Sequence, residues 1–283
     1  MIGVLLAVYR VRTGILAASV CLIFVGTLAR LVLQRGPLDT VFALMPLLGI
    51  VGMVVAFASG LLAVRYLPEH PALTVGSPVV GRWMGMNSPA TKVPSHGVRA
   101  YGQAYAIDLV AEPINTQRPV FGSGAAFRSP REYPAFGQPV RAMIDGVVVA
   151  ASDGQRDHRA RSTWPSVIYM MLEGMIREVG GPRFILGNHV VIRGADGTFA
   201  LVAHLKQRSV MVAKGDTVQA GQVIAACGNS GNTSEPHVHA QMMDRASAWT
   251  AHGLPMAFAD VALGEEPERE DGLPGNDQHM FVA

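Results

Sequence analysis

Two long uncharged runs near the N-terminus constrain this chain more than any other feature. Gly14 to Ala29 carries no charge, and extension through Arg30 to Leu33 gives about 20 residues, the length that crosses a bilayer core. Arg30 can snorkel to the headgroups. Thr40 to Val64 is a second such run, long enough to span with some tilt, and its glycines and Pro46 are tolerated in lipid. The short polar link RGPLD makes the two a helical hairpin, which returns the chain to the side it started from. A cleaved signal peptide is the rival reading of the first run, but no convincing small-residue cleavage site precedes the second. Arg10 and Arg12 flank one end, Arg30 and Arg35 the link and Arg65 the exit, so the positive charges are nearly balanced and leave orientation open.

Hydrophobic residues make up 49% of the 283, high for a soluble protein, and the excess is concentrated in this N-terminal hairpin. A net charge of +2, with no basic run interleaved with aromatics, points away from nucleic acid. Cys21 lies in the first apolar run and Cys227 near the other end, too far apart to read as a disulfide.

Residues 1–66 are thus expected to be a membrane anchor with two transmembrane helices, and 67–80, punctuated by Pro and Gly, a linker. From 81 to 262 the pattern becomes short Val-, Ile- and Ala-rich runs between turns: AYAIDLV, QPVRAMIDGVVVAAS, HVVIRGADGTFALVAHL, SVMVAKGDTVQAGQVIAAC and HVHAQMMD. This predicts a mainly β, mostly antiparallel domain, with Asn188 to Leu205 as a hairpin turning at Ala195-Asp196-Gly197. Residues 153–186 read as an insertion flanking the site or decorating the surface, with a short helix around Val167 to Val179. Residues 263–283, acidic and rich in Pro and Gly, read as a disordered tail through which a protein partner could dock.

The stretch GNSGNTSEPHVHAQMMD places His237 and His239 on one face of a strand, since alternate strand side chains share a face. Asp108 sits between Ile107 and Leu109, where a lone carboxylate is costly unless paired. His204 sits between Ala203 and Leu205 in the second arm of the hairpin. Each residue alone is a weak signal, since a lone His is more often structural or solvent-exposed. Together, one Asp and three His on apolar strands suit a zinc ion with nitrogen and oxygen ligands and an open position for water.

The order of these blocks, from SHGVRAYGQAYAIDLV through GNHVVIRGADGTFALVAHL to VAKGDTVQAGQVIAACGNSGNTSEPHVH, resembles the lysostaphin-type, LytM-like zinc endopeptidases that cut peptides of bacterial peptidoglycan. The resemblance implies that Asp108 and His239 are metal ligands, and that His204 and His237 activate water and stabilise the transition state. It also implies zinc as cofactor, peptidoglycan peptides as substrate, and a domain on the extracytoplasmic side of a bacterial membrane. One departure stands out, because Ala104 occupies the position of the family's usual first ligand, a His four residues before the Asp. Gln103 and Tyr105 have the wrong spacing to replace it. His96 is the leading candidate, although twelve residues of straight strand would hold it roughly 40 Å from Asp108. It reaches the metal only if the chain doubles back, which Gly97 and Gly102 permit. His189 is the alternative third ligand, and a site with no third protein ligand remains open. His70 and His158 read as surface or loop residues, and His252 and His279 lie past the matched blocks. The rival to an enzyme is a degenerate, non-catalytic domain of the same type that binds the wall or regulates another hydrolase.

Overall fold

The computed structural model describes residues 2–33, 36–265 and 268–283, which form two compact units, 1–69 and 70–283. Arg35 of the link and Glu266 and Pro267 of the tail lie outside the described residues.

The first unit is a pair of helices, α1 (Ile2–Val32) and α2 (Asp39–Ala63), the latter running into a single 3₁₀ turn, Val64–Tyr66. α1 begins twelve residues before the uncharged run, so Arg10 and Arg12 lie within it. Both helices are long and apolar enough to cross a membrane. They pack through small residues: Ser19 and Gly26 of α1 are buried, as are Gly49, Ala56 and Ser59 of α2. A Cβ on Gly26 would meet the Met45 side chain at 2.7 Å, and one on Gly49 would meet the Ser19 carbonyl at 2.6 Å. Such small faces let apolar helices associate by close approach where water supplies no driving force.

The second unit is mainly β. In chain order its strands are β1 (Leu73–Val75), β2 (Gly81–Met86), β3 (Ile107–Ala111), β4 (Phe127–Arg128), β5 (Pro139–Arg141), β6 (Gly146–Ser152), β7 (Ala160–Arg161) and β8 (Asn188–Arg193). There follow β9 (Phe199–Leu205), β10 (Thr217–Val218), β11 (Val223–Ala226), β12 (Val238–Met243), β13 (Gly253–Leu254), β14 (Met256–Leu263), β15 (Arg269–Gly272) and β16 (His279–Val282). The main sheet runs β1-β14-β16-β2-β3-β12-β9-β8-β6-β10 and is antiparallel apart from the β1–β14 pair. The expected hairpin is β8–β9. Between β7 and β8 stand α3 (Trp164–Val179) and the short α4 (Pro182–Leu186).

Strand alternation divides the sheet into two faces. Ile107, Leu109, Val202, Val238, Ala240 and Met242 join the larger apolar core on one side. Asp108, His239 and Gln241 take the other side, beside a smaller cluster that includes Tyr101, Leu201, Ala203 and Met243. The larger core carries the sheet, and the opposite face is left for chemistry.

Two expectations need correction. The linker 67–80 contributes β1, which pairs with β14. The tail is not a loose acidic segment, because β15 pairs with β14 and β16 lies between β14 and β2. Met280 of β16 is buried in the larger core, so an apolar anchor outweighs the acidic composition that suggested disorder. A protein partner recruited through a free tail has no support here.

Candidate metal centre

The register of three strands sets the centre. Asp108 of β3 stands directly opposite His239 of β12, which stands opposite Ala203 of β9. Facing residues on neighbouring strands lie about 5 Å apart, so pairing alone brings the carboxylate and imidazole together. Asp108 Oδ1 lies 2.8 Å from His239 Nδ1.

His96 arrives from outside the sheet. Gly97 and Gly102 have φ of 73° and 74°, and Tyr101 joins them at 58°. The chain folds back so that the Ser95 amide donates to the Ala104 carbonyl at 3.0 Å. Ala104 thus lies in the turn Ala100–Tyr105 rather than on β3, and His96 Nε2 comes to 3.1 Å from Asp108 Oδ2. The donor atoms of His96, Asp108 and His239 all lie within 4.8 Å of one another. His189 shares the cross-strand row but stands beyond Ala203, with its Nδ1 2.8 Å from the Gly187 carbonyl.

His204 depends on an irregularity. Asn188 pairs with Leu205 and His189 with Ala203, so His204 is the extra residue of a β-bulge, at φ 60°. Without it, alternation from Val202 would turn His204 into the apolar core. Instead its ring lies 4.7 Å from that of His237 and 5.7 Å from that of His239. His237 lies one residue before β12, its Nε2 3.5 Å from Asp108 Oδ1.

Hydrogen bonds decide which ring nitrogens carry protons. The Gln241 amide donates to the Tyr101 carbonyl at 2.9 Å, which turns its oxygen toward His239 Nε2 at 2.8 Å. Nε2 is then the donor, and a neutral His239 has a lone pair on Nδ1. Ser95 behaves alike: its hydroxyl donates to the Gln103 carbonyl at 3.1 Å and accepts from His96 Nδ1 at 3.0 Å, leaving the lone pair on Nε2. Two neutral imidazoles therefore aim lone pairs at one carboxylate, an arrangement that repels unless a cation or extra protons intervene. Bonds of this kind to the far nitrogen are what orient metal-ligating histidines. Ligands 2.0–2.1 Å from a tetrahedral zinc stand about 3.3 Å apart, close to the 3.1 Å and 2.8 Å between the two imidazoles and the carboxylate, so the donor set suits such an ion.

His204 and His237 are braced in the same way. His204 Nδ1 faces the Ser230 carbonyl at 2.9 Å, and His237 Nδ1 faces the Glu235 carbonyl at 2.8 Å. Both rings, when neutral, turn an unprotonated Nε2 away from those carbonyls. Burial alone would raise the Asp108 carboxyl, but the facing His96 and His237, together with hydrogen bonds that His237 and His239 donate once their rings are protonated, hold it well below its usual range. Burial likewise opposes charge on His237, yet the Asp108 carboxylate and the Glu235 carbonyl raise its proton affinity above the ordinary value. His204 is held well below, by burial and then by repulsion from His237 and His239.

The sequence reading overlooked several supports. Asn87 donates to Asp108 Oδ2 at 2.8 Å from a left-handed position before β3. Gln241 lies two residues beyond His239, so alternation could have found it. His158, read as a surface or loop residue, is half-buried and clasps the loop behind the site: its Nε2 faces the Gly231 carbonyl at 2.8 Å and its backbone exchanges hydrogen bonds with Asn229. Asn229 Oδ1 in turn accepts from Thr233, whose hydroxyl lies 3.1 Å from His237 Nδ1. No local motif marks His158 for this role, because its partners are some seventy residues away.

The fold and this face define a β-sheet protein with a largely buried cluster of histidine and carboxylate donors that could hold a metal ion. Residues 131–250 match the model of Peptidase family M23, and the chain carries a domain of that family. The matched segment contains His204, His237 and His239, while His96 and Asp108 precede it. Among solved structures, the chain is similar to the catalytic domain of the antimicrobial peptidase lysostaphin from Staphylococcus simulans, at 17% identity, covering 67% of this chain and 90% of that one, with a TM-score of 0.31. It is also similar to the deep-sea M23 metalloprotease pseudoalterin, at 12% identity over 71% of this chain and 96% of that one, with a TM-score of 0.38. A protein named glycyl-glycine endopeptidase lytM from Ruminococcus gnavus is 20% identical over 53% of this chain, with a TM-score of 0.29, and the match spans 42% of that protein's length.

Proposed function

We propose that this protein is a membrane-anchored, zinc-dependent endopeptidase that hydrolyses peptide bonds in bacterial peptidoglycan. His96, Asp108 and His239 hold the metal, and His204 and His237 handle protons. The observation that carries the reading is the pair of hydrogen bonds, from His239 to Gln241 and from His96 to Ser95, that turn two lone pairs onto one carboxylate. Bound there, zinc supplies a Lewis acid and lowers the pKa of water toward neutrality. His204 and His237 each accept a proton at Nε2 and, once protonated, donate from the same atom. Hydrolysis needs both acts, one to take a proton from water and one to hold the developing oxyanion or protonate the leaving amine. Access to peptidoglycan requires residues 70–283 on the extracytoplasmic side, which puts both ends of the helix pair outside and the link within.

The full chain, purified in detergent, should hold one zinc per molecule and release new amino groups from peptidoglycan. A chelator should stop the release and zinc restore it. His239→Ala should lose both metal and activity. A wild-type chain that never holds stoichiometric zinc would sink the metal assignment and leave the non-catalytic, wall-binding alternative. Zinc held without any amine released would sink the peptidase reading alone.

A further inference from the structure

The helix α3 is built inside out for a water-soluble domain. Ile168, Met171, Leu172, Met175, Ile176 and Val179 recur at i, i+3, i+4, i+7, i+8 and i+11, which is one continuous helix face. All six are exposed, Met171 at 63% and Ile176 at 75%, and Trp164 at the helix start is 71% exposed. The face turned to the domain is the small and polar one. Ser166 is buried, Glu173 pairs with Arg161 and Arg177, and a Cβ on Gly174 would come within 3.3 Å of Asn232.

The charges of the same segment are sorted in the opposite sense. Each acid of residues 153–186 is engaged: Asp153 by the Ser209 and Val210 amides, Asp157 by the Asn229 and Gln207 amides, Glu173 by the two arginines, and Glu178 by the Tyr101 hydroxyl at 2.5 Å. Arg156, Arg159 and Arg183 are exposed and make no salt bridge among the described residues. Outward therefore lie an apolar stripe, a terminal Trp and a fringe of three arginines with one exposed acid, Glu178, a composition close to that of a helix lying in a membrane interface.

We propose that α3 is an interfacial helix, its apolar face lying at the headgroup–acyl boundary of a bilayer rich in anionic lipid. Two features favour lipid over another protein. The exposed charge around the stripe is mostly positive, Arg156, Arg159 and Arg183 against Glu178, which complements an anionic surface. Residues 67–72 alone connect Tyr66, at the end of the second apolar helix, to Leu73 of β1. Fully extended, that tether reaches about 25 Å, so a chain whose helices span a membrane keeps this domain within reach of the lipid surface. Because α3 holds Glu173 and Glu178 against Arg161 and Tyr101, its seating would set how the metal centre is presented at the membrane. The proposal rests on the membrane anchoring proposed above and is independent of whether the centre is catalytic.

The full chain reconstituted into vesicles of phosphatidylethanolamine and phosphatidylglycerol tests it. The difference in emission between wild type and Trp164→Phe isolates Trp164 from Trp83 and Trp249. Brominated acyl chains should remove about half or more of that component, and exchanging phosphatidylglycerol for phosphatidylcholine should weaken the quenching about twofold or more. Leu172→Asp with Ile176→Asp, on an exposed face, should abolish the quenching while far-ultraviolet circular dichroism stays unchanged. An unquenched Trp164 overturns the proposal. So does a second copy on this face, seen as short label-to-label distances at Met171→Cys in a Cys21→Ala background that persist as the protein is diluted in lipid.

Discussion

Asp108 and His239 stand on adjacent strands and face each other by register, whereas His96, His204 and His237 come from a doubled-back turn, a bulge and a strand end. The first pair is held by the sheet. The second group is held by hydrogen bonds that the rings donate to the Ser95 hydroxyl and to the Ser230 and Glu235 carbonyls. In the proposed function the difference separates two demands: the strands fix the core of a metal site that His96 completes from its turn, while His204 and His237 are placed singly for proton transfer. If this division is right, damage to the two groups will have different signatures.

The largest effect is expected on the strand side. Asp108→Ala or His239→Ala should remove zinc, and peptidoglycan cleavage should fall by about four orders of magnitude or more, since the metal supplies the lowered pKa of water. Elemental analysis and the release of amino groups give the two readouts. Removing His204 should look different. His204→Ala should lower kcat by roughly 10²- to 10⁴-fold, the range for general acid–base residues, with stoichiometric zinc retained. Loss of zinc in that variant would erase the division between the groups.

A third variant probes the support rather than the ligand. Gln241→Leu removes the oxygen that fixes the tautomer of His239. Zinc affinity should weaken by about 10- to 100-fold, as expected for an outer-shell partner, measured by competition with a chelator. Full occupancy at unchanged affinity would mean that the lone pair on His239 is not set by Gln241.

The same division explains what could be read in advance. Asp108 and His239 were legible because an Asp among apolar residues and an H-x-H pair are anomalies against strand alternation. His96 was legible only as a question of whether the chain turns back, which two glycines allow but do not compel; Tyr101 at positive φ and the Ser95–Ala104 bond complete the turn. The bulge at His204 was invisible, because the motif gives no sign that Ala203 and Leu205 fall out of step. The tail misled for the reverse reason: its acids dominate the composition, while Met280 and the pairing of β16 with β2 dominate the energetics.

His158 tests how far the loop-borne group depends on distant bracing. It is held neutral, because burial, and then repulsion from Arg161, push its pKa from the ordinary value of 6.5 down to about 4. In the unfolded chain the ring takes up a proton as pH falls through about 6.5, whereas in the folded protein it does so only near 4. Between those values the unfolded state binds more protons, so stability must fall as pH falls, with a slope of at most about 1.4 kcal/mol per pH unit from this group. Above that window its contribution is fully present. Protonation would also turn Nδ1 from an acceptor of the Asn229 amide, at 3.2 Å, into a competing donor, loosening the loop that carries Ser230 and Thr233. Thermal unfolding of the full chain between pH 7 and pH 4 should therefore show a steeper loss in wild type than in His158→Gln. Identical slopes would mean that the ring titrates alike in both states and that its clasp on Gly231 does not depend on neutrality.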